Sequence, residues 1–317
     1  MKRLISILIK AALSLVILGW FIRTFNITAA VFDLSQFQWQ WSWVPLVCGV
    51  IQVTVQAVRW RVLYGGGAVP RLQEFIRFTL IGYFFGTLLP WSLGGDAVKA
   101  VAFGKRHNGM LNSSMAVLFG RIFGITALLF LFWGSYVVVD YPVAKPVLLV
   151  MALLTLAATG GLILVFKSSG VIVKLVPKTS RIHRVLNYLQ TVPTSRWIQG
   201  ALLSVVNQLA MFLLIYSSLK LVGAAVTLPM IFLYAPLTTL LLFLPVSFSG
   251  LGIREASLTY FLAPFQGVTS ELVVQASMVN YVVLLLLALT GGALFLLLGS
   301  AAKNGSLVRC RFSGSDQ

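Results

Sequence analysis

Acidic side chains are scarce in this chain, with Asp and Glu together numbering 7 in 317 residues and histidine only 2. Acid–base catalysis draws on carboxylate and imidazole pairs, and so few candidates argue against an enzyme active site. The 2 cysteines exclude a disulfide framework, since Cys48 lies in an apolar run and Cys310 in a polar tail. His107 and His183 fall in basic stretches without a second ligand at suitable spacing, so a metal site is not expected. Gly65-Gly66-Gly67 lacks the lysine and following Ser or Thr of a phosphate-binding loop, and no nucleotide or other cofactor is expected. Charged residues make up only 10% of the chain, against about 25% in an ordinary soluble domain.

What is abundant is apolar sequence: 59% of residues are hydrophobic and the mean hydropathy is +0.95. Apolar blocks lie at 4–22, 43–63, 75–90, 112–139, 146–166, 197–219, 229–248 and 271–299. A crossing helix needs roughly 20 apolar residues, so the composition describes an all-α polytopic membrane protein. The first block follows Met1 to Arg3 and could pass for a secretory signal, with Ala29-Ala30 as a weak cleavage site. Lys10 interrupts a short signal core but can snorkel from a retained helix, which is the reading adopted. Trp39, Trp41 and Trp43 mark a membrane interface. The net charge of +17 does not imply nucleic acid, because the aromatics lie inside apolar runs rather than within a basic patch. It fits topology and contact with anionic lipid.

Lysine and arginine accumulate in cytoplasmic loops, which lets charge choose a topology. If all eight blocks cross from a cytoplasmic N-terminus, the cations divide 12 inside to 11 outside, with Arg121 in the membrane. If 75–106 and 229–264 each enter and leave on one face, the division becomes 19 to 4; with only the first re-entrant it is 17 to 6. Charge therefore supports the first hairpin and scarcely tests the second.

A repeat supports the second. Leu89-Pro90-Trp91-Ser92-Leu93-Gly94-Gly95 matches Leu244-Pro245-Val246-Ser247-Phe248-Ser249-Gly250 at an offset of 155 residues, and the same offset places Lys99 on Arg254. Each half then holds three crossing helices and one re-entrant helical hairpin, six crossings plus two hairpins, and the odd number of crossings inverts the second half. The expected organisation is one membrane domain over 1–300, with repeats of about 1–140 and 141–300, and a basic cytoplasmic tail at 301–317. Pro90, Pro245 and Gly252 would shape the hairpins, and Ser92 would cap the returning arm. Broken backbone at membrane depth must be buried in protein or line a wet cavity, so the tips should face one.

Candidate ligand-contacting residues are Ser92, Gly94, Gly95, Asp96, Lys99 and Arg121 in the first half, with Ser247, Gly250, Arg254 and Glu255 in the second. Asp96 and Lys99 share a helix face, and Arg121 is deep enough that an unpaired charge would be costly. Asp96 can simply neutralise Arg121, or Lys99, Arg121 and Arg254 can meet an anionic headgroup; the two readings are compatible. Gly82/Gly86 and Gly120/Gly124 read as packing pairs, and Gln52, Gln56, Asn207, Gln208 and Asn280 as hydrogen-bonding groups between helices. Residues 59–74, 99–111 and 167–196 read as cytoplasmic loops, with 23–42 and 254–270 facing outward, and the basic run from Lys167 to Arg196 reads as a topology signal with capacity for anionic lipid.

The segment Phe85 to Lys99 followed by Arg121, together with Leu244 to Ala256, resembles the two signatures of the lysylphosphatidylglycerol synthase transmembrane-region family, the flippase-like proteins. The resemblance in layout covers roughly residues 1 to 300. It implies a membrane module that moves lipid between leaflets, without the aminoacyl-transferring domain that follows it in some members. The family often carries an arginine in the block after the second signature; residues 271–299 contain none, and Asn280 is the nearest polar candidate. The expected function is therefore translocation of an anionic phospholipid or lipid-linked saccharide across the cytoplasmic membrane, with both termini cytoplasmic. The alternative is a non-transporting partner or regulator of a lipid-modifying or glycosyl-transferring enzyme. Single cysteines added to a cysteine-free variant test the topology: position 105 should resist an impermeant thiol reagent in intact cells, and labelling there from outside would sink the first hairpin.

Overall fold

The computed structural model describes residues 37–65, 69–88, 94–141, 143–177, 180–242, 253–265 and 267–303. Among these residues the secondary structure is helical, with no strand. A short turn at Trp39–Trp41 leads into α1 (Trp43–Leu63), followed by α2 (Leu72–Leu88), α3 (Gly94–Arg106), α4 (Met110–Val138) and α5 (Lys145–Leu175). Then come α6 (Arg181–Thr191), α7 (Thr194–Leu221), α8 (Leu228–Leu241), α9 (Ile253–Leu262) and α10 (Ser270–Lys303). Five of them, α1, α4, α5, α7 and α10, contain stretches long and apolar enough to cross a membrane. The chain is thus a multi-pass membrane protein. The expected first crossing at 4–22 lies outside the described residues, as do Pro90, Ser92, Pro245, Ser247, Gly250 and Gly252.

Local chemistry explains where the helices begin and turn. Pro229 stands in the first turn of α8, where its missing N–H costs no bond, and the Thr227 side chain caps that helix. Ser180 caps α6 by accepting from the His183 amide at 3.0 Å. Between α3 and α4 the chain reverses through Asn108, which takes a positive φ of 51°, and Gly109, where a Cβ would strike the Tyr64 hydroxyl.

The ends of the helices sort to two sides. The end of α1, the start of α2 and the end of α3 meet in one aromatic cluster, where Tyr64 and Phe103 both pack against Phe75. There Glu74 in the first turn of α2 takes Arg77 at 2.8 Å and Arg106, from the last turn of α3, at 3.3 Å. His107 lies 3.8 Å from the same carboxylate, and burial holds its imidazole below the ordinary range, so at neutral pH the arginines carry the pairing. At the opposite side the Gln38 amide donates to Leu221 and the Ala225 amide to Gly267 O, joining the segment before α8 to the turn after α9. The start of α2 thus lies beside the end of α3, and the segment before α8 beside the turn after α9.

The basic stretch 167–196 was expected to be a loop, and the structure corrects this. α5 runs on to Leu175, and residues 181–191 form α6. The reason is amphipathicity: Tyr188 and Leu189 are buried against the aromatic cluster while Ile182, Arg184 and Asn187 stay exposed. The Tyr188 hydroxyl donates to the Leu63 carbonyl, closing the end of α1.

Two apolar cores result. One gathers Trp60, Phe75, Phe103, Phe119, Tyr188 and Trp197; the other gathers Phe132, Phe212, Leu219, Ile231, Leu233 and Tyr234. Along α7, Trp197 belongs to the first core and Phe212 to the second, with Ser204, Asn207 and Gln208 between them. α4 is the most central crossing, with 56% of its apolar window buried, whereas that of α5 is 6% buried and faces outward. Lipid tails are as apolar as leucine, so close packing and small residues, not burial from water, hold such helices together. Gly95 marks a close crossing of α2 and α3: a Cβ there would collide with the Gly82 carbonyl and lie 2.9 Å from Gly86 Cα. Gly95→Ala should cost about 1–3 kcal/mol as an overpacking change, whereas Gly134→Ala, which meets nothing within 4 Å, should not destabilise. Thermal melting of the two variants in mild detergent checks this, and equal melting points would refute the close crossing of α2 and α3.

Candidate functional site

The polar layer between the two cores is built around Asp96. It stands in the first turn of α3, where the free amides of a helix N-terminus favour negative charge. Lys99, one turn on, reaches it at 2.5 Å, and Arg121 from α4 contacts its other oxygen at 2.9 Å through Nη2 and 3.0 Å through Nε. The pairing of Asp96 with Arg121 expected from the sequence is thus present, and it is a triad. Lys99 is buried, with its ammonium 5.6 Å from the Trp60 ring centre, and Gly82 makes room for it, since a Cβ at 82 would lie 3.0 Å from the lysine Cδ. By helix rise, Asp96 and Arg121 are each about 15 Å from the nearer outer end of their helices, close to mid-bundle.

A fourth charge joins them that the sequence reading had assigned to a cytoplasmic loop. Arg59, one turn before the end of α1, turns inward and donates from Nη1 to Ser204 Oγ of α7 at 3.0 Å. Gly120 and Gly124 were read as a packing pair; what they admit is this guanidinium, since a Cβ at 120 would lie 3.1 Å from Arg59 Nε and one at 124 would lie 3.6 Å from Nη1. Gln52, Gln56 and Arg59 recur at i, i+4 and i+7, a polar stripe on an otherwise apolar helix.

Two cavities flank the triad. The first, of about 250 Å³, is lined by Arg59, Asp96, Lys99 and Arg121 together with Asn207, Gln208 and other residues. The second, of about 270 Å³, shares Asp96, Lys99 and Arg121 and adds Gly95, Tyr83 and Arg254. Arg254, the counterpart of Lys99 by the 155-residue offset, therefore comes to the same place, with its guanidinium 5.1 Å from the Tyr281 ring centre. Glu255 is buried but is not among the residues lining either cavity, and Gly94 opens α3 without lining one. Ser92, Ser247 and Gly250 lie outside the described residues.

The uncharged polar residues divide. Gln56 donates to the Tyr83 hydroxyl at 2.8 Å, Gln208 to the Gly124 carbonyl at 2.7 Å, and Ser218 to Asn280 Oδ1 at 2.7 Å. Asn280 thus serves helix packing between α7 and α10 and is not among the cavity-lining residues, while Gln52 and Asn207 line the first cavity. The arrangement offers a cationic space at mid-bundle, suited to an anion.

The sequence profile of the lysylphosphatidylglycerol synthase TM region matches residues 7–292. The chain belongs to that family. No curated protein and no solved structure matches the chain. Membership of the lysylphosphatidylglycerol synthase TM-region family places the chain among lipid-related membrane proteins, and the matched range includes Asp96, Lys99, Arg121 and Arg254 as well as Arg59.

Removing Asp96 or Arg121 alone leaves buried charge without its partner, a loss on the order of 3 kcal/mol. Asp96→Ala and Arg121→Ala should therefore melt well below the unaltered protein, and the exchange of the two residues should recover part of the loss. Equal melting of all four proteins would refute a structural role for the pair.

Proposed function

We propose that the protein moves a lipid with an anionic headgroup, a phospholipid or a lipid-linked saccharide, between the leaflets of the cytoplasmic membrane. The observation that carries this reading is the charge of the mid-bundle cavities: Arg59, Lys99, Arg121 and Arg254 line them with Asp96 as the one acidic residue among the described lining. Four cations held inside a membrane bundle are costly unless an anion visits them. The headgroup would pass through this layer while the acyl chains stay in the bilayer. Energy would come from a gradient or from coupling to lipid synthesis, or from neither in a scramblase.

The helix contacts support an inverted two-fold design with two re-entrant hairpins. α1 packs on α7; α2 on α10 as α8 on α4; α3 on α4 as α9 on α10; α1 on α4 as α7 on α10; and α1 on α2 as α7 on α8. Exchanging the halves maps these contacts onto one another, the relation expected of transporters built from inverted repeats. The charge bias favours an orientation with the aromatic end, α6 and both termini in the cytoplasm.

Reconstitution into vesicles with a fluorescent anionic lipid, quenched from outside, tests the reading. Lys99→Gln and Arg254→Gln each remove one charged hydrogen-bond donor worth about 1.5 kcal/mol, so the rate should fall about tenfold while melting changes less than for Arg121→Ala. Unaltered rates in both variants would overturn passage through these cavities. Stable co-purification with a lipid-modifying enzyme, without lipid movement by the isolated protein, would favour the regulatory alternative.

A further inference from the structure

Each cavity presents three cations against one carboxylate. The first has Arg59, Lys99 and Arg121 facing Asp96; the second has Lys99, Arg121 and Arg254 facing the same Asp96. Asp96 is already gripped by Lys99 and Arg121, so it offers no second negative charge. Arg59 has a neutral partner, the Ser204 hydroxyl. The segments 89–93 and 243–252, which join the two hairpin arms, contain no Asp or Glu. Glu74 is committed to Arg77 and Arg106 at the outer end of the first hairpin. The first cavity thus carries a net charge of +2 from its described lining, while in the second the buried Glu255, beside the Tyr281 ring that Arg254 covers, offsets part of the same sum.

We infer that the headgroup the first cavity accepts is a phosphate monoester or diphosphate bearing two negative charges, not a singly charged phosphodiester. This rests on the anionic-lipid reading above and narrows it. Charge removed from water must be matched nearly in full, because each uncompensated unit is expensive at membrane depth. A phosphate monoester carries about −1.5 to −2 at neutral pH, which offsets the net charge of the first cavity; a phosphodiester leaves about one unit unmatched. The lining also has the right chemistry. Guanidinium groups present planar forks that grip two oxygens of one phosphate, and Arg59 and Arg121 belong to different helices, so an anion between them is held from two sides. A dianion would also relieve the repulsion between Arg59 and Arg121, which lie within electrostatic range of each other.

The test compares two lipids that differ by one methyl group and one charge. Dioctanoyl phosphatidic acid, dioctanoyl phosphatidylmethanol and inorganic phosphate are titrated at pH 8 onto the full-length protein in phosphatidylcholine nanodiscs. Phosphatidic acid should bind about tenfold more tightly than phosphatidylmethanol, a difference of about 1.4 kcal/mol. Arg59→Gln should abolish that preference and Arg59→Lys should keep it, with melting points confirming that both variants fold. Equal affinity for the two lipids would overturn the two-charge inference and leave the anionic-lipid reading standing. Failure of both lipids to bind would overturn both. Inorganic phosphate binding as tightly as phosphatidic acid would uphold the two-charge chemistry but assign the site to a soluble phosphate, which sinks the lipid reading alone.

Discussion

Asp96 sits where three helices and three cations converge, and most of the polar layer depends on its carboxylate. It ties α3 to α4 through Arg121 and fixes Lys99 beneath Trp60. The ion pairs need the close approach of α2 and α3, which needs glycine at 82 and 95. They also need α4 to lie beside α1 and α7 with Arg59 in the gap, which needs glycine at 120 and 124. A charged interaction of this kind is poor evidence for stability as such, because desolvation offsets much of the attraction. Its value here is positional: it holds a short half-length helix at a set depth with its N-terminus turned toward the cavities.

The two apolar cores explain how such a layer survives. Each is packed by large side chains, aromatic in one case and mixed in the other, and the polar residues occupy the level between them. Ser204, Gln208 and Gln56 each make a hydrogen bond across that level, so the wall is organised before any ligand arrives. In the proposed function, such preformed donors would lose little freedom on taking up an anion.

Much of this was readable in the residues. Seven of the eight apolar blocks correspond to described helices, most ends shifted by a few residues and α5 running nine residues past its block, and Asp96, Lys99 and Arg121 meet as their spacing and depth implied. Arg59 was missed because charge counting treats a cation one turn from the end of a block as a loop residue; the i, i+4, i+7 stripe with Gln52 and Gln56 was the signal for its inward face. Glycine spacing announced close contact at 120 and 124 but not that a guanidinium from another helix would fill the space. α6 escaped notice because a basic helix with one apolar edge has the same composition as a cytoplasmic loop. Such features depend on which distant residue arrives opposite, and local pattern carries no information about that.

The outward position of α5 has a consequence for how the protein meets its membrane. Its apolar stretch of 24 residues is about 36 Å long, somewhat beyond the roughly 30 Å of hydrocarbon it crosses. Leu149, Leu153, Leu156 and Leu164 are exposed along it, and an apolar groove of about 410 Å³ separates its first half from α8 and α9. Trp133 of α4 holds it through Thr155, so a change in bilayer thickness would act on its tilt about that contact. The groove beside it is then a seam whose width would respond to the surrounding lipid.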